Sequence, residues 1–347
     1  MISIFLLFSS ASAQQKQFEA ANPIAAEVYN NRGNAYLKKG QLDQAISDYT
    51  KALELNPRYA EVYYNRGTAY VKKGQLDQAI SDYNKALEVN PSYAEAYSNR
   101  GTAYDRKGRI DQAISDFNKA PELNPNRAET YYNRGTAYVK KGQLDQGVSD
   151  YTKAIEINPR YAEAYYNRGL VHYYKREYDR AISDSTKAIE LNPRYAEAYN
   201  NRGISYFQKG KYDQAIADCT KAIELNPRYA EAYYNRGFAY DEKGKYDRAI
   251  SDYTKAIELN ANLFDAYTNR GTVYAHEGQF DQAISDYTKA LEMNRNSAEN
   301  YYNRAVAYYF KKEYEKSWKD VEKAQSLGRV LPAKFLDELR KASGRQK

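Results

Sequence analysis

The sequence predicts an all-α protein, a solenoid of antiparallel helix pairs with a capping helix at its C-terminal end. Three observations carry the prediction. Asn-Arg recurs at Asn31, Asn65, Asn99, Asn133, Asn167, Asn201, Asn235, Asn269 and Asn303, each 34 residues after the last. Composition is that of one short unit copied many times: of 347 residues 39 are Tyr, against one Trp, one Cys, two Met and two His. Within each copy, apolar residues fall at helical spacing on both sides of a turn.

Residues 1–13 differ from the rest. A mostly apolar run from Ile2 to Phe8 precedes Ser9, Ser10 and Ala11-Ser12-Ala13, the order of a short signal-peptide h-region and an A-x-A cleavage site. Export, to the periplasm or outside the cell, is therefore expected, with the mature chain starting at Gln14. If the segment is not a leader, the expected location is cytoplasmic. The run is far shorter than the roughly 20 apolar residues that span a bilayer, so no integral membrane span is expected. Residues 14–25 read as a linker.

Nine units fill 26–331, at 26–59, 60–93, 94–127, 128–161, 162–195, 196–229, 230–263, 264–297 and 298–331. In the first unit, Tyr29, Gly33 and Tyr36 mark one face of a first helix. Leu42, Ala45, Ile46, Tyr49, Ala52 and Leu53 mark the apolar face of a second, and Gly40 separates the two. Asn56-Pro57 ends the second helix, because Pro has no N–H and biases the residue before it away from helical geometry. Fixing 34 residues costs on the order of 35 to 70 kcal/mol of backbone entropy. Five or six partly buried side chains at about 1.5 to 3 kcal/mol each do not offset that. Only stacked neighbours bury enough, which makes the array a solenoid. Pro121, near the end of a second helix, and Gly147, in place of a packing Ala, predict a softer joint over residues 118–148. Residues 332–347 follow as a cap and basic tail. Pro332 opens a helix in which Phe335, Leu336 and Leu339 form the apolar stripe needed over the last core face.

The charge of +7 is concentrated in that tail: residues 329–347 hold six Lys/Arg and two Asp/Glu. One cysteine excludes an internal disulfide and a thiolate metal cluster, and two histidines exclude a His-rich ligand set. No Ser-His-Asp set, Gly-rich phosphate loop or zinc spacing occurs, so no enzymatic activity, cofactor or metal is expected. Cys219 takes the place of Tyr49, Tyr83 or Tyr253 and reads as a small buried residue. His172 replaces a core tyrosine, and His276 sits in a different slot three units away.

The pattern Tyr29-x-x-Arg32-Gly33-x-x-Tyr36, Ala45-x-x-x-Tyr49, Ala52, Pro57 resembles the tetratricopeptide repeat, TPR, over the whole array. Tyr stands where that repeat usually has Trp at the fourth position, and Arg where it usually has Leu at the seventh. The resemblance implies a right-handed superhelix with the first helix of each pair lining the concave side, and a role in binding proteins. The arginine row, Arg32 to Arg304, needs a partner in a normally apolar slot. The aspartate row Asp48 to Asp320 is present in every unit as well, and an ion-pair ladder between the two rows is expected.

Family geometry places positions 2, 5, 6, 9, 12 and 13 of each unit in the groove. Position 6 is the asparagine row, Asn31 to Asn303. A carboxamide both donates and accepts, so the row reads as a ladder for an extended peptide backbone, or as a brace between helices. Along the array the groove turns from polar to aromatic. Tyr166, Leu170, Tyr173, Tyr174, Ile204, Phe207 and Phe238, flanked by Glu163, Glu197, Glu231 and Glu242, are the expected hot spot. The glutamates at position 2 also suit the first turn of a helix through its dipole. Basic residues at positions 2, 5 and 6, which a dicarboxylate clamp for chaperone tails requires, are missing. The row of acids at position 2 argues against nucleic acid. The expected function is a non-catalytic scaffold that binds an extended peptide or helix carrying apolar and basic side chains. Alternatives are a self-assembling architectural array and the regulatory subunit of a separately encoded enzyme.

Overall fold

The computed structural model describes residues 23–345. The leader expected over 1–13 and most of the linker expected over 14–25 lie outside the described residues. All regular structure among the described residues is helical. The chain forms two compact units that divide between Val171 and His172, within one helix.

The first unit holds α1 (23–38), α2 (Leu42–Leu55), α3 (Ala60–Lys72), α4 (Leu76–Val89), α5 (Ala94–Arg106), α6 (Ile110–Leu123), α7 (Ala128–Lys140), α8 (Leu144–Ile157) and the first ten residues of α9 (Ala162–Tyr174). The second holds the end of α9, then α10 (Tyr178–Leu191), α11 (Ala196–Gln208), α12 (Tyr212–Leu225), α13 (Ala230–Glu242), α14 (Tyr246–Leu259), α15 (Phe264–His276), α16 (Phe280–Met293), α17 (Ala298–Phe310), α18 (Tyr314–Ser326) and α19 (Ala333–Ser343). In each unit consecutive helices pack as hairpins, α3 on α4 or α13 on α14, and each hairpin packs on the next. The helical spacing in the sequence therefore places both helices of every repeat correctly.

Two local devices set the hairpin. The turn between its helices needs a left-handed residue, supplied by glycines such as Gly40 at φ 75° and Gly210 at φ 71°. Arg176 and Lys312 take the same conformation at φ 61° and 63° without being glycine. The helices also approach closely at position 8. A Cβ on Gly33 would lie 2.6 Å from Cε1 of buried Tyr49, so the tyrosine ring packs where a side chain would stand. The last repeat solves the same contact differently, with Ala305 in the glycine slot and the smaller Val321 in that of tyrosine, both fully buried.

At the end of the second helix, Asn56 donates its backbone N–H to the Ala52 carbonyl at 2.9 Å, and its Oδ1 accepts from the Arg58 N–H at 3.2 Å. The side chain thus builds the turn that Pro57 makes obligatory. The expected cap is present. Phe335 and Leu339 of α19 are buried against Ala305, Val321 and Leu331, and Trp318 donates from Nε1 to Ser343 Oγ at 3.0 Å. Pro121 lies inside α6, which runs unbroken to Leu123. Gly147 has a packing reason, since a Cβ there would meet Cγ2 of Val139 at 2.5 Å.

Candidate functional site

The arginine row is structural. Eight pairs lie within a single unit, and all eight are bidentate, Nε and Nη2 donating to the two carboxylate oxygens. Arg202 donates to Asp218 at 2.7 and 2.8 Å and from Nη1 to Thr186 Oγ1 of the preceding repeat at 3.1 Å. Its guanidinium lies 5.6 Å from the Tyr199 ring centroid. The bonds to Asp218 raise the Arg202 pKa against the opposing effect of burial, so the guanidinium stays charged. Each of these arginines after Arg32 thereby ties its own second helix to the one before, and its fork is occupied by protein.

The asparagine row is braced through its donors. Asn65 donates to Asn30 Oδ1 at 3.1 Å, and Asn235 to Asn200 Oδ1 at 2.9 Å. Asn99, Asn167 and Asn269 donate to the hydroxyls of Tyr64, Tyr132 and Tyr234 at 3.0, 2.8 and 3.1 Å. Five amides are therefore engaged with position 5 of the repeat before, which leaves their carbonyl oxygens to accept. Asn201 differs: at 2% exposure it is enclosed, donating to Ser185 Oγ at 3.2 Å, so it is not an amide that a ligand reaches without movement. Asn31 is exposed, and Asn133 and Asn303 are half-buried.

Of the expected hot spot, Glu163, Tyr166 and Leu170 belong to the first unit. In the second, Tyr173, Ile204, Phe207 and Phe238 come together around a cavity of about 150 Å³, with Tyr234, Asn235 and Gln208 also lining it and Gly203 and Cys219 contributing to its wall. Phe207 stacks on Phe238 with centroids 4.5 Å apart and planes at 25°. Cys219 fills less space than the tyrosine present in this slot of most repeats. Burial pushes its thiol pKa up to about 12, which keeps it protonated and a poor nucleophile. Tyr174 projects, 65% exposed, edge-on to Tyr173 at 5.7 Å. Glu197, Glu231 and Glu242 are exposed; Glu197 and Glu231 stand in first helical turns, and Glu242 ends α13.

Phe238 has a second effect. In other repeats the buried tyrosine hydroxyl bonds position 9: Tyr49 to Asn34 at 2.7 Å, Tyr151 with Thr136 at 3.1 Å, Tyr287 to Thr272 at 3.3 Å. Position 9 of the seventh repeat is Phe238, which offers no acceptor. The hydroxyl of fully buried Tyr253 is left without a hydrogen-bond partner.

Sequence reasoning missed a second apolar pocket in this unit, about 370 Å³, whose lining includes His276, Phe280, Val306 and Phe310. Phe280 and Phe310 stack at 5.0 Å with planes 6° apart. The signal was present, for Val306 and Phe310 occupy positions 9 and 13, the rows that marked the first pocket. His172 is buried as expected and is also bonded, its Nδ1 2.7 Å from Glu177 Oε2. Among the described residues no group of three or more His, Cys, Asp or Glu side chains is placed to hold a metal, and no helix is long and apolar enough to cross a membrane.

Arrays of helical hairpins with apolar pockets and occupied charges define the class: repeat scaffolds that bind. The chain matches the TPR repeat family over residues 33–74, 67–108, 105–142 and 135–175, and the tetratricopeptide repeat over 162–195, 196–229, 230–263 and 264–297. It belongs to the tetratricopeptide repeat family, generally non-catalytic scaffolds of protein–protein interaction. Among solved structures it is similar to a chain of the Cut9–Hcn1 hetero-tetramer of the APC/C, 21% identical over 80% of this chain and 54% of that one, with a TM-score of 0.58. A tetratricopeptide repeat protein of Parabacteroides merdae is 24% identical over 72% and 98%, with a TM-score of 0.56. Both show the fold alone. YrrB, described as a TPR protein with an unusual peptide-binding site, is 30% identical over 53% and 95%, with a TM-score of 0.48. No curated protein matches.

Proposed function

We propose that this protein holds an extended segment of a partner protein along the face formed by the first helices of its repeats, with the strongest anchoring in the second unit. The observation that carries the reading is the aromatic pocket around Phe207 and Phe238. It is large enough for one side chain, and it sits on the rows where asparagine carbonyls remain free to accept from a peptide backbone. The acids at position 2 favour a basic partner and disfavour nucleic acid. Export is proposed from residues 1–13 and is tested by the mass of the mature chain, which should begin at Gln14.

The test is affinity capture from host extract with the full chain as bait, beside a Phe207→Ser/Phe238→Ser variant with an unchanged helical melting profile. A protein retained by the first and lost by the second supports the groove. Equal retention by both moves binding to another face. A mass in solution that rises with concentration, with no partner retained, supports an architectural array instead.

A further inference from the structure

One carboxylate in the second unit is left without the partner that its counterpart has. Position 12 is acidic in only two repeats, at Asp105 and Asp241. Asp105 is neutralised by Lys140, which occupies position 13 of the next repeat and donates at 2.6 and 2.9 Å. The residue in that place for Asp241 is His276, whose ring packs on Tyr246 at 5.6 Å instead. Asp241 is half-buried, and its carboxylate has no hydrogen bond or ion pair among the described residues. Neighbouring cations do not supply one, since Lys209 and Lys243 are committed to Asp179 and Asp213. Burial, and next the charge of Glu242, raise the Asp241 pKa, against a smaller lowering by His276, which acts on the carboxylate through space without bonding it.

Asp241 lies one helical turn beyond Phe238, on the side of α13 that carries the aromatic pocket. Beneath Phe238 is the orphaned Tyr253 hydroxyl, a second polar group whose need is unmet in the free protein. An uncompensated, partly desolvated carboxylate costs stability unless something pairs with it, and an aromatic surface beside it favours a cation through its ring faces.

We propose that Asp241 is the specificity-determining charge of this pocket, and that the partner segment presents a lysine or arginine to it beside an aromatic or long aliphatic side chain seated against Phe207 and Phe238. The inference rests on the peptide-binding reading above and adds the residue that selects the ligand. The alkyl stem of the basic residue would cover aromatic surface while its head reaches the carboxylate. Glu242, exposed at the next position, adds charge of the same sign.

The test selects a random dodecapeptide library displayed on phage against the full chain, Asp241→Asn and Asp241→Lys, all checked for an unchanged melting profile. Asp241→Asn should fold normally, because the carboxylate it removes has no partner to lose. Peptides enriched by the wild-type chain should carry Lys or Arg within three residues of an aromatic or long aliphatic side chain. Their affinity should fall roughly tenfold with Asp241→Asn, the value of one charge-assisted hydrogen bond, and Asp241→Lys should enrich acidic peptides. Enriched peptides that lack a basic residue, or that bind the wild-type chain and Asp241→Asn equally, overturn the role of Asp241 and leave the groove reading standing. No enrichment by any of the three proteins overturns both.

Discussion

Replacing Arg202 by Leu restores the apolar side chain usual at the seventh position of the repeat, and the structure states why it should nevertheless destabilise. Asp218 has 10% of its side-chain surface exposed and receives both of its short hydrogen bonds from Arg202. Removing one member of such a pair strands a buried charge, at a cost of about 3 to 5 kcal/mol. Arg202→Leu also loses the bond to Thr186 and the contact with the Tyr199 ring. Asp218→Leu should cost a similar amount. The double substitution Arg202→Leu/Asp218→Leu leaves no charge behind and should cost about 1 kcal/mol or less, so the pair should show a coupling energy of at least about 5 kcal/mol. In a repeat array each hairpin is held by its neighbours, and a global midpoint blends many local events. The appropriate assay is native-state amide exchange, with opening free energies read in α11 and α12 for the wild-type chain, both single variants and the double. Additive single effects, or a loss below about 1 kcal/mol for Arg202→Leu, would refute the ladder as the tie between helices. A loss of ligand affinity with unchanged exchange would place the arginines in a binding site instead.

Two further outcomes are expected. Arg176→Gly should raise stability by about 1 kcal/mol, because it removes a side chain from a left-handed conformation that seven of the equivalent turns give to glycine; a lower melting temperature in the variant would contradict this. Burial pushes the phenols of Tyr83, Tyr151 and Tyr287 up to about 12. The unfolded chain releases these protons near pH 10 and the folded chain does not, so the stability they hold is intact below pH 10 and lost as pH rises towards 12. Each tyrosine removes up to about 2 to 3 kcal/mol by pH 12. Phenolate absorbance should therefore show an exposed class titrating reversibly near pH 10 and a buried class appearing only with loss of helical circular dichroism. A single step near pH 10 with the helices retained would show that the hydroxyls are solvated.

Both helices of each hairpin, the glycine turns and the pairing of Arg with Asp were legible because they recur at a fixed spacing. A residue needed in every copy betrays a contact made in every copy, which is how Arg32 and Asp48 point to each other without a structure. The cap was equally legible, since an exposed final core face demands Phe335 and Leu339. The tertiary structure decided what differs between copies. Whether an asparagine faces a ligand or its neighbour depends on the residue about one repeat away: Asn235 finds Asn200, Asn269 finds Tyr234, and Asn201 is enclosed. The aromatic cavity exists because Cys219 is small where Tyr253 is large. Tyr253 lacks a hydrogen bond because Phe238 stands where other repeats have threonine, and Asp241 makes no direct ion pair because position 276 is histidine where Asp105 meets Lys140. Periodicity fixes the backbone, since each helix forms from local spacing and buries the same stripe. The chemistry of each groove position is set across the interface between repeats, where one substitution alters the environment of side chains on three helices.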